Sequence, residues 1–158
     1  MKLFKMGLDR FLAAVCIIDF ISMVLLTAYQ VVVRYFFKSP SSISEVLTRY
    51  CFVWLILLSA TYVFGQRDHI CITFIKDKLT GNAKKFLEAL GEITVIVFSG
   101  LVLVYGGSVI TSMNMLQYDS ILKIPTGAVY SIIPVCGMLI IFYSIYNLCT
   151  IFKKEGEV

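Results

Sequence analysis

The run FLAAVCIIDFISMVLLTAYQVVV, from Phe11 to Val33, decides the fold: it holds one side chain charged at neutral pH, Asp19, and is otherwise apolar or weakly polar. A bilayer core is crossed by a helix of about 20 mostly apolar residues. This run meets that length, and three more follow it at Tyr50 to Phe64, Ile93 to Met115 and Val129 to Phe152. The second is shorter, but Ser42 to Arg49 can extend it as a helix. The expected architecture is a single all-α integral membrane domain over 1–158. It has four transmembrane helices, about 11–33, 44–64, 90–115 and 125–152, and short amphipathic segments at the interfaces.

Composition agrees. Charged residues make up 15% of the chain, hydrophobic residues 59%, and the mean hydropathy is +0.87. A soluble domain carries about 25% charged residues. With brief loops and termini, no room is left for a nucleotide-binding or soluble catalytic domain. The start, MKLFKMGLDR, is basic and leads into an apolar run, as a secretion signal does. The run is too long for a signal and no small-residue cleavage site ends it, so it reads as a retained first span.

The net charge of +4 is informative by position. With the N-terminus cytoplasmic, an even number of spans returns the C-terminus to the same side. Lys2, Lys5, Arg10, Arg67, Lys76, Lys78, Lys84, Lys85, Lys153 and Lys154 then lie inside, against Arg34, Lys38, Arg49 and Lys123 outside. That bias obeys the positive-inside rule and favours contact with anionic phospholipid headgroups. The cations form no single face, so nucleic acid is not an expected partner. Cys16, Cys51, Cys71, Cys136 and Cys149 include no C-x-x-C pair, which leaves no metal or redox motif.

Local signals mark the boundaries. Arg34-Tyr35-Phe36-Phe37-Lys38 is an interfacial belt, and Ser39-Pro40-Ser41 breaks the helix. Ser42 with Glu45 has capping-box spacing, and Glu45 and Arg49 stand four apart, able to pair. Ile70 to Ile75 is apolar but too short to cross, so it is expected to lie in the cytoplasmic interface. Gly100, Gly106, Gly107 and Ser108 are small residues that let a neighbouring helix approach. Pro125 suits the first turn of the fourth span, and Pro134 predicts a kink within it.

Few residues offer chemistry. Asp19 is the one acid deep in a span, and an ionisable group there is a functional candidate by default. It reads either as a coupling carboxylate or as a polar contact to a neighbouring helix. Gln30 reads as helix-to-helix glue. His69 has no evident partner for a proton relay and reads as an interfacial or partner-contacting side chain. One histidine and scattered cysteines make no metal site, and no serine stands in a nucleophile motif. No catalytic residue and no cofactor is expected.

One set of motifs goes further. Val33-Arg34-Tyr35-Phe36-Phe37, then Ser44-Glu45-Val46-Leu47-Thr48-Arg49-Tyr50-Cys51-Phe52-Val53-Trp54-Leu55, then Asp68-His69-Ile70, resembles the small membrane subunit of tripartite ATP-independent periplasmic (TRAP) transporters, the DctQ-like family. Arg34, Glu45, Arg49, Trp54 and His69 match in order and spacing. Leu122 to Tyr130, followed by Pro134, is similar to the family's approach to its last span. Ile43 and Val46 depart from it, standing where a tryptophan and a second acid are frequent.

The resemblance implies an accessory or scaffold subunit in the bacterial inner membrane, and no enzyme. Its partners would be a large membrane subunit, which carries an organic anion driven by a sodium gradient, and a periplasmic solute-binding protein. Arg34, Glu45, Arg49, Trp54 and His69 would make subunit or interface contacts. Two other readings fit the residues less well: an autonomous proton-coupled exporter using Asp19, and a quinone-thiol enzyme, which would need paired cysteines.

Overall fold

The computed structural model describes residues 2–36, 41–66 and 82–153, with side chains at 5–36, 41–66 and 89–149. His69, the Ile70 to Ile75 segment, and Cys71 lie outside these residues.

Helix α1 (Lys2–Phe36) and helix α2 (Ser42–Gln66) form an antiparallel pair. The third span is helix α3 (Asn82–Phe98), a π-helical segment (Ser99–Gly106) and helix α4 (Gly107–Asn114), wound without interruption. The fourth is helix α5 (Thr126–Tyr130) and helix α6 (Ile132–Lys153), broken at Ser131. Four stretches among the described residues are long and apolar enough to cross a membrane: Lys5–Phe36, Ser42–Gln66, Ala89–Asn114 and Thr126–Cys149. The helices extend beyond the apolar runs because polar flanks continue the i→i−4 ladder, which a chain near lipid has to keep intact.

The start of α2 differs from the capping-box expectation. Ser41, not Ser42, precedes the first helical residue, and its carbonyl accepts from the Glu45 amide at 3.3 Å and from the Ser44 hydroxyl at 2.9 Å. Glu45 therefore does not reach back to a cap; its side chain turns to Arg49. Pro125 likewise sits one place earlier than expected, as the extended residue before Thr126 with ψ 124°. Its carbonyl accepts from the Ala128 amide. Pro134 has no N–H to offer Tyr130, and the helix breaks at that level.

Helix α6 is the hub: α2 packs on one side and the whole third span on another, while α1 lies along α2. Leu12 of α1, Leu58 of α2 and Cys136 and Tyr143 of α6 form the buried core, all at most 6% exposed. Close approach is secured by glycine at the contact points. A Cβ on Gly137 would stand 2.7 Å from Leu103 Cβ, and one on Gly107 would stand 2.8 Å from Ile133 Cγ2. The two glycines thus set α6 against the third span from both sides. Of the small residues singled out there, Gly107 makes the contact, whereas Gly100 meets nothing within 4 Å. The remaining surface is apolar, as a lipid-facing bundle requires: Phe11, Ile18, Leu25, Leu101 and Tyr105 are all exposed.

Candidate functional site

The sequence-predicted residues fall at three heights. Arg34 is exposed in the last turn of α1, flanked by exposed Tyr35 and Phe36. Glu45 and Arg49 are one turn apart on α2, 3.5 Å from nitrogen to oxygen, with side chains 68% and 67% exposed. Such a pair holds little folding energy and leaves both charges open to a partner. Trp54 is 39% exposed and its indole N–H donates to the Val129 carbonyl at 3.0 Å. That acceptor lies next to Tyr130, whose carbonyl loses its regular donor to Pro134. Trp54 therefore ties α2 to the broken start of the fourth span as well as lining the surface.

Asp19 lies half-buried on the face of α1 that meets α2. Cys51 of α2 lies against its carboxyl group, and Cys16 stands one turn before it on α1. Oδ2 is buried without a hydrogen-bond partner among the described residues. The geometry is that of an interhelix contact, with no second acid beside it. No group of three metal-ligating side chains occurs among the described residues. Gln30 serves as glue between helices: its Nε2 donates to the Ser44 carbonyl at 2.8 Å and to Thr48 Oγ1 at 2.7 Å.

The most organised polar site was not singled out by sequence reasoning. It is the loop between the third and fourth spans. Asp119 Oδ1 accepts from the backbone amides of Ile121 (2.8 Å) and Leu122 (3.0 Å), an Asx-type turn. Its Oδ2 accepts from the Tyr50 hydroxyl of α2 at 2.6 Å. Lys123 takes a positive φ of 54°, and its amide donates to the Asp119 carbonyl at 2.9 Å. The Asp119 amide in turn donates to the Ile124 carbonyl at 3.0 Å, and a bridge joins Tyr118 to Pro125. The Thr126 amide and hydroxyl both donate to the Gln117 carbonyl.

The Tyr50 hydroxyl first, then the Leu122 and Ile121 amides, hold the Asp119 carboxyl below its ordinary value of 3.8. Arg49 adds to this from one residue away on α2. The place of Asp119 in a short loop between two apolar runs was legible. What could not be read was its partner, which lies 69 residues away in the chain.

At the opposite end of the bundle, Tyr143 of α6 donates to Asp9 Oδ1 of α1 at 2.5 Å. Lys5 Nζ stands 6.0 Å from the centre of the Tyr143 ring and 5.5 Å from that of Tyr146. This cluster fastens α1 to α6. Helices α1, α2 and α6 are thus tied by polar contacts, and the site has the chemistry of anchorage: acceptors met by donors between elements, with apolar packing filling much of the rest of the bundle.

Comparison with known proteins agrees with this anchored four-helix form. The family described as tripartite ATP-independent periplasmic transporters, DctQ component, matches residues 23–154. A Haemophilus influenzae protein described as a TRAP transporter small permease is 28% identical over 153 residues, covering 96% of this chain and 94% of its own length. A second from the same organism, similarly described, is 24% identical and covers 95% of this chain and 90% of its own. The sialic acid TRAP transporter small permease protein SiaQ of Vibrio cholerae is 33% identical over 78 residues, 49% of this chain and 45% of its own. With the match to the family running from the middle of the first span to the end of the fourth, this chain belongs to the DctQ family, and is a small permease subunit of a TRAP transporter, a multi-pass protein of the bacterial inner membrane.

Proposed function

We propose that this chain is the static, anchoring subunit of a sodium-driven importer of an organic anion. A periplasmic binding protein captures the anion and a large membrane subunit carries it. The observation that carries this reading is how the polar groups of the spans are used. Gln30, Trp54, Asp9 and Tyr143 are engaged in helix-to-helix bonds, Tyr50 holds the loop between the third and fourth spans, and Asp19 lies against Cys51. A carrier needs polar groups free to bind and release its cargo near the membrane midplane; these are used to hold helices. A carboxylate cargo is supported by the name of the Vibrio cholerae relative, which specifies sialic acid.

The termini are placed in the cytoplasm by the positive-inside bias. That puts Arg34, Glu45, Arg49, Lys123 and the Asp119 loop at the outer face, where contacts with the large subunit and the binding protein are made. His69 falls to the inner side in the same arrangement. Autonomous export through Asp19 is set aside by the family membership, and the Cys51 contact gives Asp19 a structural task.

The test is a pull-down of the tagged chain from detergent-solubilised membranes of its host, joined to uptake assays. Recovery of a many-span permease in about equal amount, with uptake that requires a sodium gradient, is the expected result. Recovery of the chain alone, with transport abolished in Asp19→Asn, would overturn it.

A further inference from the structure

We propose that the π-helical segment of the third span, Ser99–Gly106, is a register device: it stores one surplus residue, and that residue holds the inward positions of the span in a single line against the fourth span.

The inward positions repeat every four residues through this region. Ser99 is 1% exposed and Gly107 is buried, with Leu103 and Thr111 half-buried in the same series. Their neighbours on the fourth span are Gly137 for Leu103, Ile133 and Pro134 for Gly107, and Gly127 for the Thr111 backbone. Between them Leu101, Val102, Tyr105, Val109 and Ile110 are exposed. An α-helix completes a turn in about 3.6 residues, so each step of four overshoots by about 40°. By the third step, from Ser99 to Thr111, the overshoot would reach about 120°, and the two could not face the same neighbour.

The π segment removes this drift. A turn closed by bonds five residues apart takes one residue more than an α turn, and the Gly107 amide reaches back five residues to the Val102 carbonyl. One surplus residue takes back about 100°, which leaves Ser99 and Thr111 within about 20° of each other. The segment ends where the fourth span changes course: Gly107 sits on Ile133 and Pro134, just after the break at Ser131. The third span thus keeps its contacts on both sides of a break in its neighbour, which a regular α-helix of the same sequence would not do.

A surplus residue is one the fold can lose. Removing a residue from the π segment leaves an α-helix with Ser99 and Thr111 still on one face; adding one turns the outer half of the span away by about 100°. The experiment is denaturation of full-length variants in mixed micelles, followed by circular dichroism. Deletion of Tyr105, which is exposed, is expected to leave the midpoint where Tyr105→Ala puts it, or higher. Deletion of Val102 should likewise match Val102→Ala. An alanine inserted after Tyr105 should lower the midpoint sharply. Deletion of Val109, in the regular turns beyond the segment, should also lower it, because Gly107 then turns away from Ile133. In α1, deletion of Ile18 and insertion after Ile18 should be alike in their damage, because a regular helix absorbs neither. Deletions within the π segment that prevent folding, or that cost as much as the insertion or as deletion of Val109, would overturn the register device. So would an insertion after Tyr105 that leaves the midpoint unchanged.

Discussion

The two halves of this bundle are held by different means. Between α1, α2 and the start and end of the fourth span, side chains make hydrogen bonds across helices: Gln30 to Ser44 and Thr48, Tyr50 to Asp119, Trp54 to Val129, Tyr143 to Asp9. Between the third span and the fourth, the contacts are glycines pressed against neighbours: Gly107 on Ile133 and Pro134, Gly137 on Leu103 and Val104, Gly127 on the Thr111 and Met115 backbone. In lipid, apolar burial gives helices no reason to associate, so close packing and interhelix hydrogen bonds carry that task. The second half relies on close packing alone, while the first adds hydrogen bonds to close packing of its own, as where Gly65 meets the Tyr143 ring. The polar half keeps several of its contacts near the ends, where exposed Arg34, Glu45 and Arg49 also sit, so anchorage and exposed charge share the same heights.

The glycine half should break most sharply. A Cβ at Gly127 would lie 2.5 Å from the Thr111 carbonyl oxygen and 2.7 Å from the Met115 amide nitrogen, both backbone atoms that cannot rotate away. Gly127→Ala is expected to cost about 3 kcal/mol or more of bundle stability, the upper range of overpacking. Gly100→Ala, with open space around it, should cost nothing. Denaturation in mixed micelles, followed by circular dichroism, checks the pair; equal stabilities would sink the close-packing account.

The polar half should give more gently. Gln30→Leu removes both bonds to α2 and is expected to cost about 1 kcal/mol, in line with the modest values of interhelix hydrogen bonds in membranes. The same denaturation measurement applies, and a loss as large as that of Gly127→Ala would show that the two halves are not held differently after all.

A smaller effect is expected at the loop. Because the Asp119 carboxyl is held below 3.8 in the fold, it adds stability at every pH above that ordinary value. The contribution is lost as pH falls through its lowered pKa, and it is absent in more acid solution. Tyr50→Phe removes the largest cause, so Asp119 should titrate closer to 3.8, and the Ile121 and Leu122 amides should exchange faster at neutral pH. Carboxyl-carbon NMR and hydrogen exchange in nanodiscs measure both; an unmoved titration would deny Tyr50 its role.

The smallest folding effect belongs to Arg49. Its pair with Glu45 is long and exposed, so Arg49→Ala is expected to change stability by at most about 0.5 kcal/mol. Arg49→Glu should nonetheless lower uptake several-fold if the charge faces a partner. Uptake and stability measured on the same preparation separate the two, and undiminished uptake would remove Arg49 from the contact surface.

Much of this was legible in the sequence. The spans, the exposed Glu45–Arg49 spacing, Gln30 as glue and the break near Pro134 follow from local rules of length, periodicity and proline chemistry. The site residues were legible as types but less so as contacts. Trp54 was readable as an interfacial aromatic, yet its acceptor at Val129 was not, because nothing in either segment names the other. Asp19 left two readings open, a coupling carboxylate or a contact to a neighbouring helix, and the sequence did not name Cys51 as its neighbour. Asp119 and Gly137 drew no notice, one because it stands in an ordinary loop, the other because a lone glycine in a span looks like any other.

The sequence by itself determined that the chain crosses a membrane with four helices, because bilayer thickness and backbone hydrogen bonding leave an apolar run of that length one solution. It also carries the charge bias from which a cytoplasmic placement of both termini is expected. Only the tertiary structure decided that α6 is the hub, that Gly107 and Gly137 rather than Gly100 take the close contacts, and that Tyr50 fixes the outer loop through Asp119. Those pairings depend on helix rotation and tilt, which packing against neighbours sets and which hydrophobicity, nearly uniform around each helix, does not encode.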